Sequence, residues 1–275
     1  MPEAFSTIVA PLDLEPNHDR AVAAAAGLAA VGNLPIILMT ASSPGLPNGR
    51  DQIELGRIAE KHHLDRWSAV VLHDNQPARV VAAHLLTLDA PLVVMATGVR
   101  GMISQLSSTH TAASLLGAIN CPALVLGPNV PDTWQPRHAQ LVCCIDPDEP
   151  AYPAVPWVVR WLKAFGGRDP CFVAVKPSDS APDTPACNRP VDVERLAAGL
   201  YSTAGFLADW NILRDDNPVN GLLAFTADNV DALLVVTSKR WTDDSRLHRH
   251  SIARNLAHAS VHPVLVVPYG CHDAQ

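Results

Sequence analysis

The stretch HDNQPARVVAAHLLTLDAPLVVMAT (residues 73–97) has a counterpart 141 residues later, RDDNPVNGLLAFTADNVDALLVVTS (214–238). Asp74 and Pro77 fall on Asp215 and Pro218, and Met95 falls on Val236. Each copy reads as a polar turn, a helix and then a short, almost wholly apolar run. Proline suits the first helical turn, where its missing N–H has no intrahelical partner to lose. Runs such as PLVVMAT and DALLVVTS are what strands look like when both faces are buried. A helix feeding such a strand, met twice, predicts a parallel sheet covered by helices on both sides.

Working outward, the same shift carries Pro122 of CPALVLGP onto Pro263 of HPVLVVP, with no gap from Asp74 onward. Upstream lie STIVAPLD (6–13), helical HDRAVAAAAGLAAV (18–31), PIILMTA (35–41), helical GRDQIELGRIAEKHHL (49–64) and WSAVVLHD (67–74). SSTHTAASLLGAI (107–119) reads as the helix before CPALVLGP. The series then restarts with QLVCCIDPD (140–148), helical VPWVVRWLKAFGG (155–167) and CFVAVKP (171–177). VDVERLAAGLYSTAGFLADW, NILRDDNPVNGLLAF, RHSIARNLAHAS and HPVLVVPYG follow in the same order. Asp13 to Asp146 is a shift of only 133, so eight extra residues lie in the second copy. The Pro- and Ser-rich run PSDSAPDTPACNRP (177–190) is where they are expected. The chain is an internal duplication. Its boundary is expected at residues 128–138, giving units at 1–130 and 138–275. The expected fold class is α/β: two tandem, doubly wound, open parallel five-stranded sheets related by a pseudo-two-fold.

Composition narrows the function classes. Of 275 residues, 48% are apolar and 17% charged, the balance of a globular chain. A net charge of −7 argues against nucleic acid or an anionic membrane as partner, because phosphate binding needs a concentrated basic surface. No apolar run reaches the ~18–20 residues that cross a bilayer. The amino terminus has no basic region followed by an apolar core, so no secretory leader is expected, and a cytoplasmic location is. Six cysteines include the vicinal Cys143–Cys144 in LVCCID, whose side chains point to opposite faces of a strand. They read as buried, inert thiols.

Two copies of this order resemble tandem universal stress proteins, and the resemblance covers nearly the whole chain. Its carriers are APLD (10–13), LVVMAT (92–97) and CPALVLGP in the first half, with CCIDPD, LLVVTS and HPVLVVP in the second. It implies five parallel strands per unit and pairing of CPALVLG with HPVLVVP, which makes the monomer an internal pseudo-dimer. It also implies a bacterial stress-response or signalling role with a protein partner, and a homodimer in some members. Many members bind ATP at the carboxyl ends of the strands, with an acidic residue on the ribose and the loop G-x2-G-x9-G-[ST] around the phosphates. Glycine serves there because only residues without a Cβ let several amides approach phosphate oxygens at a helix start.

Carried over residue by residue, Asp13 takes the ribose position, Pro11 stands beside it and Ala41 ends the second strand. Anchored on Met95, the four loop positions fall on Ala96, Val99, Thr109 and His110, and none matches. A frame two residues later recovers Gly98 and Gly101 but places Thr111 and Ala112 at the last pair. In the second half Asp146 takes the ribose position, and Thr237, Arg240, His250 and Ser251 take the loop positions; only the serine survives. SSTHT (107–111) has two readings: an anion site of hydroxyls and amides, or a helix cap. Asp13 and Asp146 likewise read as ribose contacts or as turn residues.

KRWTDDSRLHRHS (239–251) reads either as an acidic-ligand site or as a solvated loop whose aspartates offset its basic groups. The pairs His62–His63 and His248–His250, and His73, lack the three or four close ligands of a zinc site and read as surface or capping residues. His84 is a candidate for the face toward the sheet. No Walker A run, G-x-S-x-G or H-E-x-x-H is present. The expectation is a non-enzymatic stress-response or signalling module acting through a partner or ligand, with no metal and no required cofactor. The alternative is an ATP or adenine-nucleotide sensor using the first half.

Overall fold

The computed structural model describes residues 4–14, 19–42, 48–97, 110–134, 136–145, 154–178, 201–202, 205–229, 231–238 and 252–268. In the first half, β1 (Thr7–Leu12), β2 (Ile36–Ser42), β3 (Trp67–His73), β4 (Pro91–Ala96) and β5 (Ala123–Leu126) are separated by α1 (Asp19–Gly32), α2 (Asn48–Lys61), α3 (Pro77–Leu85) and α4 (His110–Ala118). The second half contributes β6 (Gln140–Ile145), α5 (Val155–Phe165), β7 (Arg168–Lys176), β8 (Asp209–Arg214), α6 (Pro218–Thr226), β9 (Ala232–Ser238), α7 (Ile252–Ala259) and β10 (Val264–Pro268). No helix among these residues is long and apolar enough to cross a membrane.

The ten strands form one sheet in the order β3-β2-β1-β4-β5-β10-β9-β6-β7-β8. Each half is thus the parallel order 3-2-1-4-5, and the expected fold class holds. The halves join edge to edge where β5 meets β10 antiparallel, with Leu124 opposite Leu265. Leu265 is the residue 141 beyond Leu124, so the pseudo-two-fold passes through a pair of equivalent residues. This junction turns two five-stranded sheets into one and leaves β3 and β8 as the outer edges.

The duplication holds at the level of single elements. Helix α3 spans Pro77–Leu85 and α6 spans Pro218–Thr226, a shift of 141 at both ends. Before each helix the same turn recurs. The carboxylate of Asp74 accepts from the Gln76 amide at 2.7 Å, and that of Asp215 accepts from the Asn217 amide at 2.8 Å. An aspartate that bonds the backbone two residues on makes a local turn, and proline then starts the helix.

The eight extra residues divide into two parts. At the start of β6 and β7, Gln140 pairs with Arg168, while further on Val142 pairs with Cys171. Three residues of β7 therefore span two of β6, a bulge at Asp169–Pro170 that takes one extra residue. The other seven lie between β7 and β8, since Ser42 pairs with His73 and Lys176 with Arg214. Lys176 is 134 beyond Ser42, and Arg214 is 141 beyond His73.

Alternation sends successive residues to opposite faces. One face buries Ile8, Leu38, Leu92, Leu124, Leu141, Phe172, Leu233 and Leu265, and the other buries Val9, Met39, Val93, Val125, Val142, Val173, Leu234 and Val264. Each face runs through both halves. On the first, α1 and α5 meet, with Phe5 stacked on Phe165 at 5.7 Å between ring centroids and Trp161 edge-on to Phe165 at 4.7 Å. The Arg160 guanidinium lies 5.7 Å from the Phe5 ring centroid and 4.8 Å from that of Trp157.

The boundary segment is packed. A Cβ at Gly127 would stand 1.9 Å from the carbonyl oxygen of Ala257, so only glycine allows β5 to leave the sheet this close to α7. Asn129 donates to the carbonyls of His258 and Ala259 at 3.2 and 3.3 Å, capping the end of α7. Val130 and Trp134 are buried, and Arg20 pairs with Asp132 at 2.9 Å and donates to the Val130 carbonyl.

Candidate functional site

In an open parallel sheet the ligand crevice lies beyond the carboxyl ends of the strands, where the strand order reverses. Here the reversal falls between β1 and β4, and in the second half between β6 and β9. Leu12 pairs with Thr40, so Asp13 stands level with Ala41. β1 pairs with β4 through Val9 and Val93, and beyond that pair both strands run on to the same edge, β1 to Leu12 and β4 to Ala96.

The structure thus brings Pro11, Asp13, Ala41, Met95 and Ala96 to one carboxyl edge. Asp13 is exposed, Pro11, Ala41 and Ala96 are half-buried, and the Met95 side chain is 4% exposed in the core beneath. Immediately after Asp13 the chain turns left-handed at Leu14, φ 55°, a conformation that leucine rarely takes. His110 and Thr111 are the first residues of α4. Gly98, Gly101, Thr109, Asp146, Arg240, His250 and Ser251 lie outside the described residues, as does the basic run 239–251. Thr237 is half-buried in β9.

At the outer part of this edge the side chains of the two halves part company. Ser42 and His73 end β2 and β3 and are joined by a 3.1 Å hydrogen bond between the hydroxyl and Nδ1. The equivalent ends of β7 and β8 carry Lys176 and Arg214. The backbone around them is the same: Asp74 N–H donates to Ser42 O at 3.1 Å, and Asp215 N–H to Lys176 O at 3.0 Å. One half therefore presents a hydroxyl and an imidazole where the other presents two cations. Sequence reading passed over both pairs, although Lys176 closes CFVAVK and Arg214 opens RDDNP. Only the cross-strand register makes neighbours of residues so far apart in the chain.

Other singled-out residues have structural roles. His62 Nε2 lies 3.0 Å from Asp19, Lys61 pairs with the same carboxylate at 2.7 Å, and His63 takes the left-handed position after α2. His84 is half-buried on α3. Among the described residues the buried histidine is His262, with Nε2 3.0 Å from the Thr226 carbonyl and its amide donating to Ser260 Oγ at 2.8 Å. Cys143, Cys144 and Cys171 are free thiols. Burial raises the Cys143 thiol well above its ordinary value, takes Cys144 up to about 12 and raises Cys171 despite a hydrogen bond from Asn211. Thiols kept protonated in this way are poor nucleophiles.

By sequence alone, no family model and no curated protein matches the chain. Solved structures do match. A universal stress protein from Archaeoglobus fulgidus DSM 4304 superposes with a TM-score of 0.69 at 14% identity, over 96% of this chain and 98% of that one. A functionally unknown protein from Pseudomonas aeruginosa PAO1 superposes with a TM-score of 0.65 at 13% identity, over 96% and 93%. Over nearly its whole length, this chain has the fold of the universal stress proteins.

Proposed function

We propose that the chain is a universal-stress-protein-like module of bacterial stress response or signalling, working in the cytoplasm by binding a partner protein or ligand and not by catalysis. The observation that carries this reading is the first-half carboxyl edge. It sets an exposed carboxylate, Asp13, just past β1 and level with Ala41, at the point where strand order reverses. Yet the aligned loop positions, Ala96, Val99, Thr109 and His110, include no glycine to bring amides around a phosphate chain. The edge has the place of a ligand site, while the aligned positions of the loop sequence lack the glycines of the family's phosphate-binding pattern. In the second half Thr237, Arg240 and His250 depart from the pattern as well, and only Ser251 matches it.

A second reading is supported by Asp13 itself: the first half holds ATP or another adenine nucleotide through its ribose. The test is calorimetric titration and thermal unfolding of the full chain with ATP, ADP and AMP, beside an assay for ATP turnover. Ligand at 100 times its dissociation constant adds about 2.7 kcal/mol of stability. No shift and no turnover at millimolar nucleotide is the expected result, and it directs the search to protein partners. Saturable binding lost in Asp13→Ala establishes the nucleotide sensor instead, and saturable turnover overturns the non-catalytic reading.

A further inference from the structure

The sheet ends in two edges, β3 and β8, that are equivalent by the pseudo-two-fold and differ in how they are protected. Exposed strand edges invite pairing with another chain, and charges or prolines on them discourage it. β3, WSAVVLH, carries neither, and Trp67 at its start is 37% exposed. β8, DWNILR, carries Asp209 and Arg214. Asn211 stands where β3 has Val70.

The extended backbone of β3 runs one residue beyond each end. The Arg66 carbonyl accepts from the Ile36 amide at 2.9 Å, and the Asp74 amide donates to the Ser42 carbonyl at 3.1 Å. Even-numbered residues therefore turn their N–H and C=O toward β2. Trp67, Ala69, Val71 and His73 turn theirs outward, to the open edge.

A two-fold normal to the sheet pairs two copies of one strand antiparallel and keeps each side chain on its own face. Only residues of equal parity can then face each other. Centred on Val70, this pairing sets Trp67 opposite His73 and Ala69 opposite Val71, so the outward backbone groups of all four bond. It also sets Arg66 opposite Asp74, twice. Arg66 is exposed, and its Nη1 is held at 2.9 and 3.0 Å by Asn33, leaving further donors in its fork. On β8, Asp209 and Arg214 differ in parity and cannot face each other in any such dimer. Centring on Ile212 would oppose Asp209 to Asp215, a like-charge pair.

We propose that the β3 edge is a self-association surface that takes a second copy of this chain, antiparallel about Val70 and closed by two Arg66–Asp74 ion pairs. The internal β5–β10 junction is the same kind of joint within one chain. Closure by a two-fold uses β3 from both copies and leaves the charged β8 edges at the ends of the assembly.

Val70 becomes a non-hydrogen-bonded pair across the axis, where Cα atoms lie about 4.5 Å apart, within disulfide range. Ser68 of the two copies would lie about 14 Å apart, four residues along at ~3.4 Å each and one strand across. The experiment is mild oxidation of full-length Val70→Cys, Ser68→Cys and the parent, read by non-reducing electrophoresis, with sedimentation velocity over a wide concentration range. Expected are a disulfide-linked dimer as the main product for Val70→Cys alone, and a reversible parent dimer weakened by salt. Arg66→Glu shifts its midpoint at least tenfold upward, while Asn33→Ala, which removes the side-chain acceptor of Arg66 but neither the backbone one nor the facing charge, leaves it in place. A parent that is monomeric throughout, cross-linking equal in the three proteins, or a dimer indifferent to Arg66→Glu overturns the proposal.

Discussion

The two halves of this chain share a backbone down to single hydrogen bonds and differ in the side chains that end their strands. Asp74 bonds Ser42 in the first half as Asp215 bonds Lys176 in the second, and each aspartate then closes the turn that starts the next helix. Where those bonds fix the chain, Ser42 and His73 face Lys176 and Arg214 across the duplication. The difference teaches where a duplicated fold is free to change. Turn and ladder groups keep the strands in place, so residues one step further out can be exchanged without moving them. Chemistry then diverges on a constant frame.

The frame is shared in a stronger sense, and the largest predicted effect concerns it. Phe165 belongs to the second half but packs across the centre on Phe5 and Gly32, beside Trp161 of its own helix. Phe165→Ala is expected to cost about 3–5 kcal/mol, measured by urea unfolding, and to lower both halves together in one transition. A second transition at unchanged midpoint would show the halves folding separately. Gly127→Ala comes next, at about 2–3 kcal/mol, because its Cβ would overlap the Ala257 carbonyl and α7 must move. Its equivalent in the second half is Pro268, so this contact between the halves has no duplicated counterpart.

The fold was readable wherever punctuation is strong. Asp74, Pro77 and Pro122 recur at Asp215, Pro218 and Pro263, and the apolar strands between them leave a single register. What stayed hidden needs pairing partners to be seen. The bulge at Asp169–Pro170 adds one residue without interrupting the apolar run of β7. The connector at 128–138 reads as Pro-rich and polar, yet Asn129, Val130 and Trp134 pack it against α7 and the core. His262 gives no signal of burial beyond preceding a strand. Of the candidate site, Pro11, Asp13, Ala41, Met95 and Ala96 do gather at one carboxyl edge, since strand ends can be read from the apolar runs. Ser42–His73 and Lys176–Arg214 could not be read, because cross-strand neighbours have no spacing rule in the sequence.

Two smaller effects sharpen the comparison. Asn217 caps α6 by accepting from the Val219 amide at 3.0 Å, whereas Gln76, its equivalent before α3, makes no side-chain cap. Asn217→Ala is therefore expected to cost about 1 kcal/mol and Gln76→Ala close to nothing, by thermal unfolding of each variant. Equal losses would mean that the turn aspartates, not the cap, start these helices. Alkaline pH gives the weakest contrast. The thiols of β6, Cys143 buried and Cys144 half-buried and raised to about 12, stay protonated in the fold after their unfolded counterparts ionise. Unfolded chains then bind fewer protons, so stability is retained below the ordinary thiol range and falls as pH climbs toward 12. β1, with Ala10 and Pro11 in the matching places, has no such dependence. Cys143→Ala/Cys144→Ala should flatten the decline of the urea midpoint between pH 8 and pH 11.

The central claim is that the halves are one folded unit around a continuous sheet, and native-state hydrogen exchange in increasing urea tests it most directly. The amides of Ile8 and Val9 in β1 and of Val142 and Cys143 in β6 should merge into one global opening with a common free energy and the same urea dependence. Exchange of either strand through a lower, separate opening, with the other half still protected, would contradict it.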